Sequence, residues 1–418
     1  MTLALTPLET SWLAGESGEA RALAMRVIAE TARLMGAEKL VAVESAHIDG
    51  ALYHGDSGTL FAEKLVALGA KVSIPATLNV GALDLFCGAR TRHSPHEHDM
   101  AKRMMRAYET MGCAPSWTCA PYQAGHRPAF GTDVAWGESN AVAFCNSVLG
   151  ARTNRYGDFL DICCAIAGRA PYYGLHIPEN RHATFALDCS GLSPDLRDSD
   201  IFWPVIGTLF GQRAGNAIGV VIGLTGFATE DRLKAFGAAA ASAGAVGLFH
   251  IIGATPEAPD LSSATGGKRE IPTISVTPGM ISSTLAGMST TVLEAVDAVA
   301  IGSPHCSYEE LVELERLIDG RKLVRPFYAC TGRHAIKALE AAGRRRALEE
   351  AGVTLVADTC IVVAPILEAT TGVLMTNSGK FAHYAPGNTG YAVRYGALSE
   401  CVESAVAGRL VREARLWR

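Results

Sequence analysis

The sequence has few charged residues and no long block of one sign. Only 19% of its 418 residues are charged, and 37 basic against 42 acidic side chains leave a formal net charge of −5. Nucleic-acid binders concentrate lysine and arginine where phosphates bind, so we expect no nucleic-acid partner. A hydrophobic fraction of 49% with so little charge also excludes an intrinsically disordered chain.

The sequence also lacks a segment suited to a membrane. The nearly uncharged run from Phe236 to Gly253 consists largely of alanine and glycine and is too weakly apolar to span a bilayer. The first nine residues contain no basic stretch leading into an apolar one, so a secretory signal is not expected. We therefore predict a cytoplasmic protein with no membrane partner.

Cysteine is present, but not in the spacing of a disulfide or zinc framework. The eleven cysteines include one adjacent pair, Cys163 and Cys164, and no C-x-x-C motif. In a cytoplasmic chain this pattern argues against a disulfide scaffold. Three uses remain open for these residues: buried small side chains, ligands of a metal cluster, or a nucleophile.

The order of predicted elements favours an α/β fold. Apolar runs at 219–222 and 246–252 alternate with helical patterns at 230–243 and 308–318, a rhythm typical of parallel sheets covered by helices. We predict several domains, with parallel or mixed sheets flanked by helices. A division near residue 210 would separate an N-terminal α/β region, 1–210, from a C-terminal α/β region, 211–418.

Local signals predict where several elements begin and end. Thr6, Pro7 and Glu9 match an N-cap, a first-turn proline and an N3 carboxylate, so a helix should begin there. Apolar residues at 71–74 and at 295–301 predict strands, the second of which ends at Gly302. The pattern at 334–351 predicts one helix.

The first candidate site is the polar, glycine-rich loop 45–58. Its glycines Gly50, Gly55 and Gly58 let backbone N–H groups approach an anion or a carboxylate. A turn with capping aspartates that leads into the next helix explains the same residues. The polar side chains available in this loop are His47, Asp49, His54 and Asp56.

The second candidate site is the polar stretch 135–155, which follows the segment 117–122 that contains Cys119. Polar side chains among apolar ones are costly unless they pair with each other or hold a ligand. Arg152 and Arg155 could clamp a carboxylate. They could equally be structural ion-pair partners of Glu138 and Asp158.

Two further loops place a cysteine just past a predicted strand. Cys306 lies in the stretch 301–310 and Cys360 ends the stretch 357–360. Their spacing from Cys119 matches no zinc-finger, ribbon or ferredoxin pattern, so a shared cluster requires distant loops to converge, and isolated buried thiols explain the same residues. The loop 376–380 either presents Lys380 to an acidic ligand or is a surface turn.

Five segments, in the same order, resemble the large subunit of the aconitase X family. The members of this family are divergent iron-sulfur hydro-lyases of the aconitase superfamily. The resemblance spans nearly the whole chain. The segments are His47–Gly50, Thr118–Tyr122, Gly137–Asn140 with Asn146–Arg155, Gly174–Pro178, and Asn377–Lys380.

The resemblance implies a dehydratase with an iron-sulfur cluster held by cysteines from separate loops. Cys119 and Cys360 match the family pattern directly. Where many members read Gly-Cys-Pro-His, this chain has Ser303 as the second residue and a cysteine only after the histidine. The third ligand is therefore predicted to be Cys306, with Cys145 as the alternative, and the number of irons stays open.

The resemblance also implies a substrate and its contacts. The two described branches of the family act on cis-3-hydroxy-L-proline and on mevalonate 5-phosphate, and the segment 47–54 resembles the hydroxyproline branch. Loss of water across C2 and C3 would give a cyclic enamine and then Δ1-pyrroline-2-carboxylate, with the cluster as Lewis acid. Lys380 is expected to face an acidic group, and the other contacts are expected at Gly50, Ala51, Leu52, Asn79 and Val80.

The resemblance implies a partner as well. In the family a serine on a small swivelling domain removes the C2 proton, and no such segment is evident before Arg418. We therefore expect a separate small subunit beside a small hydroxy-acid ligand. If the chain works alone, His47 and His54 are the first candidates for the base. The competing interpretation is a non-catalytic scaffold or ligand-binding subunit with structural cysteines.

Overall fold

The computed structural model describes residues 3–268 and 270–413. Clustering of residues in space divides the chain into two compact units, one formed by Met1–Leu83 with His93–His182 and the other by Asp84–Arg92 with Ala183–Arg418. Residue 210, near the division expected from the sequence, lies inside the helix Phe202–Ala214 of the second unit. That helix packs closely on another helix of the same unit, since a methyl group on Gly211 would lie 2.5 Å from the Ala240 carbonyl oxygen.

The first unit contains a three-stranded parallel sheet in which β2 lies between β3 and β4, and an antiparallel pair of β1 with β5. Its strands are β1 Leu40–Ala42, β2 Ala46–Ile48, β3 Ala76–Leu78, β4 Ala135–Trp136 and β5 Arg169–Pro171. Its helices are α1 Pro7–Leu13, α2 Glu19–Leu34, α3 Asp56–Ala67, α4 Pro95–Thr110, α5 Ser139–Phe144 and α6 Leu160–Ala167, with a π-helical turn at Cys145–Leu149 and 3₁₀ turns at Gly174–His176 and Pro178–Arg181.

Strand β2 has one apolar and one polar face, because neighbouring residues of a strand point to opposite sides of a sheet. Ala46 and Ile48 are fully buried on one face, and α6 packs close to the strand. Ser45, His47 and Asp49 alternate with them on the other face. This polar face leads directly to the end of the strand, where a ligand can bind.

The first sheet of the second unit is parallel throughout, in the order β8-β7-β6-β9. Its strands are β6 Phe185–Asp188, β7 Gly219–Ile222, β8 Phe249–Ile251 and β9 Thr273–Ser275. Its helices are α7 Pro194–Arg197, α8 Phe202–Ala214, α9 Glu230–Ala243, α10 Leu261–Ala264 and α11 Pro278–Gly287.

The second sheet of this unit has five parallel strands in the order β12-β11-β10-β13-β14. The strands are β10 Ala298–Cys306, β11 Phe327–Thr331, β12 Val353–Val356, β13 Gly372–Thr376 and β14 Tyr391–Tyr395. The helices are α12 Tyr308–Ile318, α13 Arg333–Ala341, α14 Arg345–Ala351, α15 Gly379–Thr389 and α16 Leu398–Ala407. Strand β10 is buried along its whole length, as expected at the centre of a covered parallel sheet.

The predicted fold class is confirmed, and so are several element bounds. Strand β7 and helices α9 and α12 lie where the sequence pattern places them. Helix α1 begins with the predicted capping box, in which the Glu9 N–H donates to Thr6 Oγ1 at 3.2 Å and the Thr6 N–H donates to Glu9 Oε2 at 2.9 Å.

Three local predictions are wrong. Residues 71–74 form no strand, because the Val72 and Ser73 N–H groups donate to carbonyls of Met111 and Ala165 in neighbouring segments, and the strand begins only at Ala76. Strand β10 does not end at Gly302 but continues to Cys306. The pattern at 334–351 is two helices, separated where Gly343 adopts a left-handed conformation with φ of +70°.

The structure describes the helices of residues 3–268 and 270–413. None of them combines the length and the apolar character that a membrane crossing requires.

Candidate active site

The carboxyl ends of β2, β3 and β4 meet at one edge of the first-unit sheet, because the three strands are parallel. We call the loops 49–52 and 79–80 at this edge the ligand edge. Asn79 Nδ2 donates to Asp49 Oδ1, which joins the two loops. Asn79 is only 3% exposed, and its Oδ1 has no hydrogen-bond partner among the described residues. A buried acceptor of this kind is suited to a ligand or a water.

The five substrate contacts expected in the first unit all lie at the ligand edge. Their side chains and backbone form two adjacent loops, so the structure brings these residues together. Ala51, Leu52 and Val80 are buried, which leaves backbone groups and Asn79 as the polar contacts. The five residues are Gly50, Ala51, Leu52, Asn79 and Val80.

A buried carboxyl group supports the ligand edge from α6. Asp161 is fully buried, and its Oδ2 accepts the N–H of Asp49 at 2.6 Å and that of Gly50 at 3.1 Å. Burial raises the pKa of Asp161 to about 8. The sequence analysis missed this residue, although an isolated carboxylate in the apolar run 160–167 was a usable signal.

Two glycines of the sequence motifs are required by the packing around Asp161. A methyl group on Gly137 would lie 2.9 Å from Asp161 Oδ2 and 2.8 Å from Asp49 Cβ. A methyl group on Gly50 would lie 3.1 Å from the Tyr108 hydroxyl. The glycines therefore allow the loop to approach the carboxyl group closely.

The second half of the loop 45–58 lies at the surface. His54 is exposed. The exposed Asp56 accepts from the Tyr53 hydroxyl at 2.8 Å and bonds His96 Nε2 at 3.0 Å. These residues form a solvated network at the start of α3, whereas His47 lies fully buried in β2.

Much of the polar stretch 135–155 has a structural role. Glu138 caps α5, because its carboxylate accepts the Ala141 N–H at 2.7 Å. Arg181 is 3% exposed and donates to Asn146 Oδ1 at 3.0 Å and to the Asn146 carbonyl at 3.1 Å. Arg155 and Asp158 are exposed. The carboxylate clamp proposed for Arg152 and Arg155 stays a prediction.

The second unit has its own polar edge, at the carboxyl ends of the five-stranded sheet. We call it the cysteine edge, because Cys306 ends β10 and Cys360 follows β12. The two thiols are 3% and 6% exposed. His305 Nε2 and the Thr359 carbonyl oxygen are 3.1 Å apart, so the residues that precede the two cysteines are bonded to each other.

A buried ion pair holds the loop that carries Cys360. Arg333 Nε and Nη2 donate to the two carboxylate oxygens of Asp358 at 2.6 and 2.8 Å. Asp358 Oδ2 also accepts the Leu85 N–H at 3.2 Å, and Asp84 Oδ2 accepts the Ala357 N–H at 3.1 Å. The segment 84–92 thus fixes this loop from a distant part of the sequence.

The cysteine edge carries positive charge. Lys380 lies at the start of α15, partly buried. Burial, together with the charges of Lys234 and Lys380 and of His334, lowers the pKa of His305 to about 4. Buried Lys234 pairs with Asp231 at 2.8 Å and with Glu310. Lys380 is the residue that the sequence analysis expects to face an acidic group of the substrate.

Ser303 and Cys306 also line a cavity of about 740 Å³ within the second unit. The other polar groups that line it include Lys234, Glu310 and Ser378. The sequence analysis did not predict this cavity, because its lining comes from five separate segments of the chain.

The cysteines differ in their fitness to hold iron. A metal ligand must be a thiolate. Cys145 is fully buried in an apolar cluster, and burial raises the pKa of its thiol, so it is a poor ligand. Cys306 and Cys360 reach one edge, where Thr359 Oγ1 and His334 Nε2 are buried without hydrogen-bond partners among the described residues.

The third predicted thiol, Cys119, is 5% exposed and belongs to the first unit. Among residues 3–268 and 270–413, no three histidine, cysteine or acidic side chains converge closely enough to hold a metal ion. The thiols at the cysteine edge nevertheless suit an iron-sulfur cluster by donor chemistry, because iron in such clusters is bound by thiolate.

Parallel sheets that end in polar loops, with buried thiols at one edge, define a multi-domain α/β enzyme that binds a small ligand. Models of the first, second and third aconitase X domains match residues 2–179, 183–286 and 296–407. The chain belongs to the aconitase X family, which confirms the resemblance seen in the sequence.

Relatives and a solved structure agree with this assignment. The chain is 41% identical to the cis-3-hydroxy-L-proline dehydratase of Pseudomonas aeruginosa over 99% of its own length and 72% of that protein. It is 37% identical to the phosphomevalonate dehydratase large subunit of Methanothermobacter thermautotrophicus over 91% of its own length and 93% of that subunit. The crystal structure of Thermococcus kodakaraensis aconitase X in its holo-form matches with a TM-score of 0.86 and 31% identity, over 96% of this chain and 100% of that one. The protein is therefore a hydro-lyase, as predicted.

Proposed function

We propose that the protein dehydrates cis-3-hydroxy-L-proline to Δ1-pyrroline-2-carboxylate. The observation that carries the proposal is similarity to relatives named for this reaction. Two cis-3-hydroxy-L-proline dehydratases, from Pseudomonas aeruginosa and Hypocrea jecorina, are 41% and 38% identical to the chain over 99% and 98% of its length. The phosphomevalonate dehydratase large subunits share 33% to 37%.

The ligand edge supports a carboxylate substrate. Its two loops, 49–52 and 79–80, contain no lysine or arginine. Asp161 takes the N–H groups of Asp49 and Gly50. The remaining backbone N–H groups and the side chains of Asn79 and Asp49 are therefore the polar means of binding, and together these suit a substrate with one carboxylate and a ring N–H. Asp161 holds Asp49 and Gly50 in place, so the edge is arranged before the substrate arrives. By the resemblance to the family, Lys380 is also expected to face an acidic group.

Phosphomevalonate is the second candidate substrate. It is favoured by the match to the archaeal large subunits, of which the chain covers 93% or more of the length. A phosphate carries more charge than a carboxylate and selects cationic partners. The absence of lysine and arginine from both loops of the ligand edge places this substrate second.

An iron-sulfur cluster belongs to the proposal. Cys119, Cys306 and Cys360 would hold it, since thiolates are the ligands of such clusters. When bound, the cluster supplies a Lewis acid that helps the substrate hydroxyl to leave. The eleven free cysteines also suit a reducing compartment, and we therefore place the protein in the cytoplasm.

A small partner subunit completes the proposal. Relatives that match the chain are named large subunits, and a large subunit has a smaller partner in those proteins. We propose that the partner contributes the serine that takes the C2 proton, while this chain binds the carboxylate and holds the cluster.

The experiment is an assay of anaerobically purified protein with a co-expressed small subunit. Cis-3-hydroxy-L-proline and mevalonate 5-phosphate are supplied separately, and the products are identified by mass spectrometry. We expect Δ1-pyrroline-2-carboxylate from the first substrate and no loss of water from the second. Dehydration of mevalonate 5-phosphate alone would contradict the proposal and favour the second candidate.

A further inference from the structure

A continuous hydrogen-bonded chain of two imidazoles and two hydroxyls lies on the polar face of the first-unit sheet. His47 Nδ1 and Thr77 Oγ1 are 2.9 Å apart, and Thr77 Oγ1 and His126 Nδ1 are 2.7 Å apart. His126 Nε2 and Ser45 Oγ are 2.8 Å apart. Every separation is that of a hydrogen bond.

The register of the sheet explains this arrangement. His47 lies directly beside Thr77 on one neighbouring strand and beside Trp136 on the other. Ser45 points to the same face as His47, because the two are alternate residues along the chain. The same alternation puts Asp49 two residues beyond His47 and Asn79 two residues beyond Thr77, so the chain leads to the ligand edge.

The two ends of the chain differ in exposure. His47 is fully buried, and its Nε2 has no hydrogen-bond partner among the described residues. Asn79 Oδ1 and Trp136 Nε1, on the same face, are also buried and also have no hydrogen-bond partner among the described residues. His126 is partly exposed and lies between the exposed residues Gly125 and Arg127. One end is therefore a nitrogen inside the protein; the other end, Ser45, is 8% exposed and bonds the partly exposed His126.

Both imidazoles are held in their neutral form. Burial, with a smaller contribution from the neighbouring His126, lowers the pKa of His47 well below its usual value. Burial lowers the pKa of His126 to about 4. A neutral imidazole has one N–H and one bare nitrogen, so it can accept a proton on one side while it gives one from the other.

We propose that His47, Thr77, His126 and Ser45 form a proton relay between the ligand edge and solvent. The proposal rests on the proposed function, because a dehydratase takes a proton from carbon and gives one to the leaving hydroxyl. Since dehydration is neutral overall, these need not be the same proton. The relay supplies the second proton and afterwards returns the first to solvent.

The transfer balances at every atom. His47 Nε2 gives its proton to the leaving hydroxyl, and Nδ1 takes the proton of the Thr77 hydroxyl. Thr77 takes the Nδ1 proton of His126, whose Nε2 takes the hydroxyl proton of Ser45, and Ser45 takes one from water. Both imidazoles change tautomer and the protein groups stay neutral, while the water that gave the proton is left as hydroxide until the proton taken from C2 neutralises it. The reverse transfer, which begins when the proton taken from C2 reaches His47 Nε2, restores the first arrangement.

The relay predicts that a change at one group alters the tautomers of groups beyond it. ¹⁵N spectra of the histidine side chains test this on the full chain, with the signals assigned through His47→Gln and His126→Gln. Thr77→Val removes the central hydroxyl and keeps the side-chain shape, and we expect it to shift the signals of both histidines. Thr77→Ser restores the hydroxyl and should restore both signals.

Thr59→Val is the matched control. Thr59 is also buried in the first unit, but its hydroxyl donates to the Met100 carbonyl at 3.1 Å and lies outside the chain of groups. This variant should leave the signals of His47 and His126 unchanged. Unchanged signals in Thr77→Val would overturn the relay.

Ser45→Ala keeps the test decisive if Thr77→Val does not fold. A merely structural hydroxyl would affect only His126, its direct neighbour. The relay requires the His47 signal to change as well, two groups further along. A change confined to His126 would contradict the proposal.

Kinetics give a separate measurement. With the partner subunit present, Thr77→Val should lower kcat for cis-3-hydroxy-L-proline about 100-fold with KM unchanged, and Thr77→Ser should recover most of it. A full kcat in Thr77→Val would overturn the relay. An unmodified protein that dehydrates no hydroxyproline would instead refute the proposed function, and the histidine spectra would still decide whether the coupled chain exists.

Discussion

Asp161 accepts the backbone N–H groups of both Asp49 and Gly50, at 2.6 and 3.1 Å, through one carboxylate oxygen. The side chain comes from the first turn of α6, more than a hundred residues further along the chain, and is fully buried. A loop fixed in this way needs little reorganisation when a ligand binds, which favours affinity. The ligand edge therefore depends on a residue that never has to touch the substrate.

Asp161 should make stability depend on pH. Burial raises its pKa from 3.8 to about 8, so the folded state binds more protons than the unfolded state between these values. The free energy of unfolding should therefore fall as pH rises through this window, by up to roughly 1.4 kcal/mol per pH unit from this group. Asp161→Asn should remove this dependence, as measured by urea unfolding at several pH values.

The asparagine also has a cost of its own. The Ile162 N–H donates to Asp161 Oδ1 at 2.6 Å, and Oδ2 accepts two further backbone N–H groups. An asparagine has only one oxygen, so its NH2 group would face a backbone N–H, and two donors cannot bond each other. We expect a loss of about 1–3 kcal/mol at neutral pH. Asp158→Asn is the control, because Asp158 is exposed three residues away. An unchanged pH dependence in Asp161→Asn would contradict the role given to the carboxyl group.

The predicted iron ligands can be tested one by one. Cys119→Ser, Cys306→Ser and Cys360→Ser should each lose iron and activity while the protein stays folded, because a serine oxygen is a poorer ligand for iron in a cluster. Iron and acid-labile sulfide are measured after anaerobic purification, with circular dichroism as the check on folding.

Two buried cysteines are the controls for this series. Cys145 and Cys401 are both fully buried, and burial raises the pKa of each thiol. Cys145→Ser and Cys401→Ser should keep their iron. If Cys145→Ser loses iron and Cys306→Ser keeps all of it, the third ligand is Cys145 and not Cys306.

Gly302 should be indispensable for the strand that ends in Cys306. Its φ is +91°, and a methyl group there would overlap the carbonyl oxygen of Cys330 on the neighbouring strand. Gly302→Ala should lower the free energy of unfolding by about 2–4 kcal/mol, through backbone strain and overpacking together. Gly287→Ala has open space around the added methyl and should change the urea midpoint little.

The sequence predicted the elements whose signals are local. The capping box at Thr6 and Glu9 and the helix Glu230–Ala243 depend on residues within one or a few turns. The ligand edge was also predictable in outline, because polar residues after parallel strands meet at one edge of a sheet. The structure brings the loops of Gly50 and Asn79 to one edge, and their contact with a substrate stays a prediction.

Features that depend on distant partners were not predictable in this way. The strand at Ala76–Leu78 forms where β2 can pair with it, whereas the segment 71–74 before it is held by Met111 and Ala165. Asp161 acquires its role only because the fold brings it under Asp49 and Gly50. The proton relay likewise joins residues from three separate segments, and only the register of β2 with β3 brings His47 to Thr77.

The chain alone should bind its cluster and yet catalyse almost no dehydration. The reason is that the proposed base lies on a small subunit, as the names of the archaeal large subunits suggest. A missing general base removes a factor of about 10²–10⁴ in rate. Product formation from cis-3-hydroxy-L-proline is measured for each protein separately and for the mixture, with iron content recorded for the chain alone. Addition of the partner should restore turnover. Full activity from the 418 residues alone would place the base within this chain, and His47, whose buried Nε2 leads from the relay, would then be tested before the exposed His54.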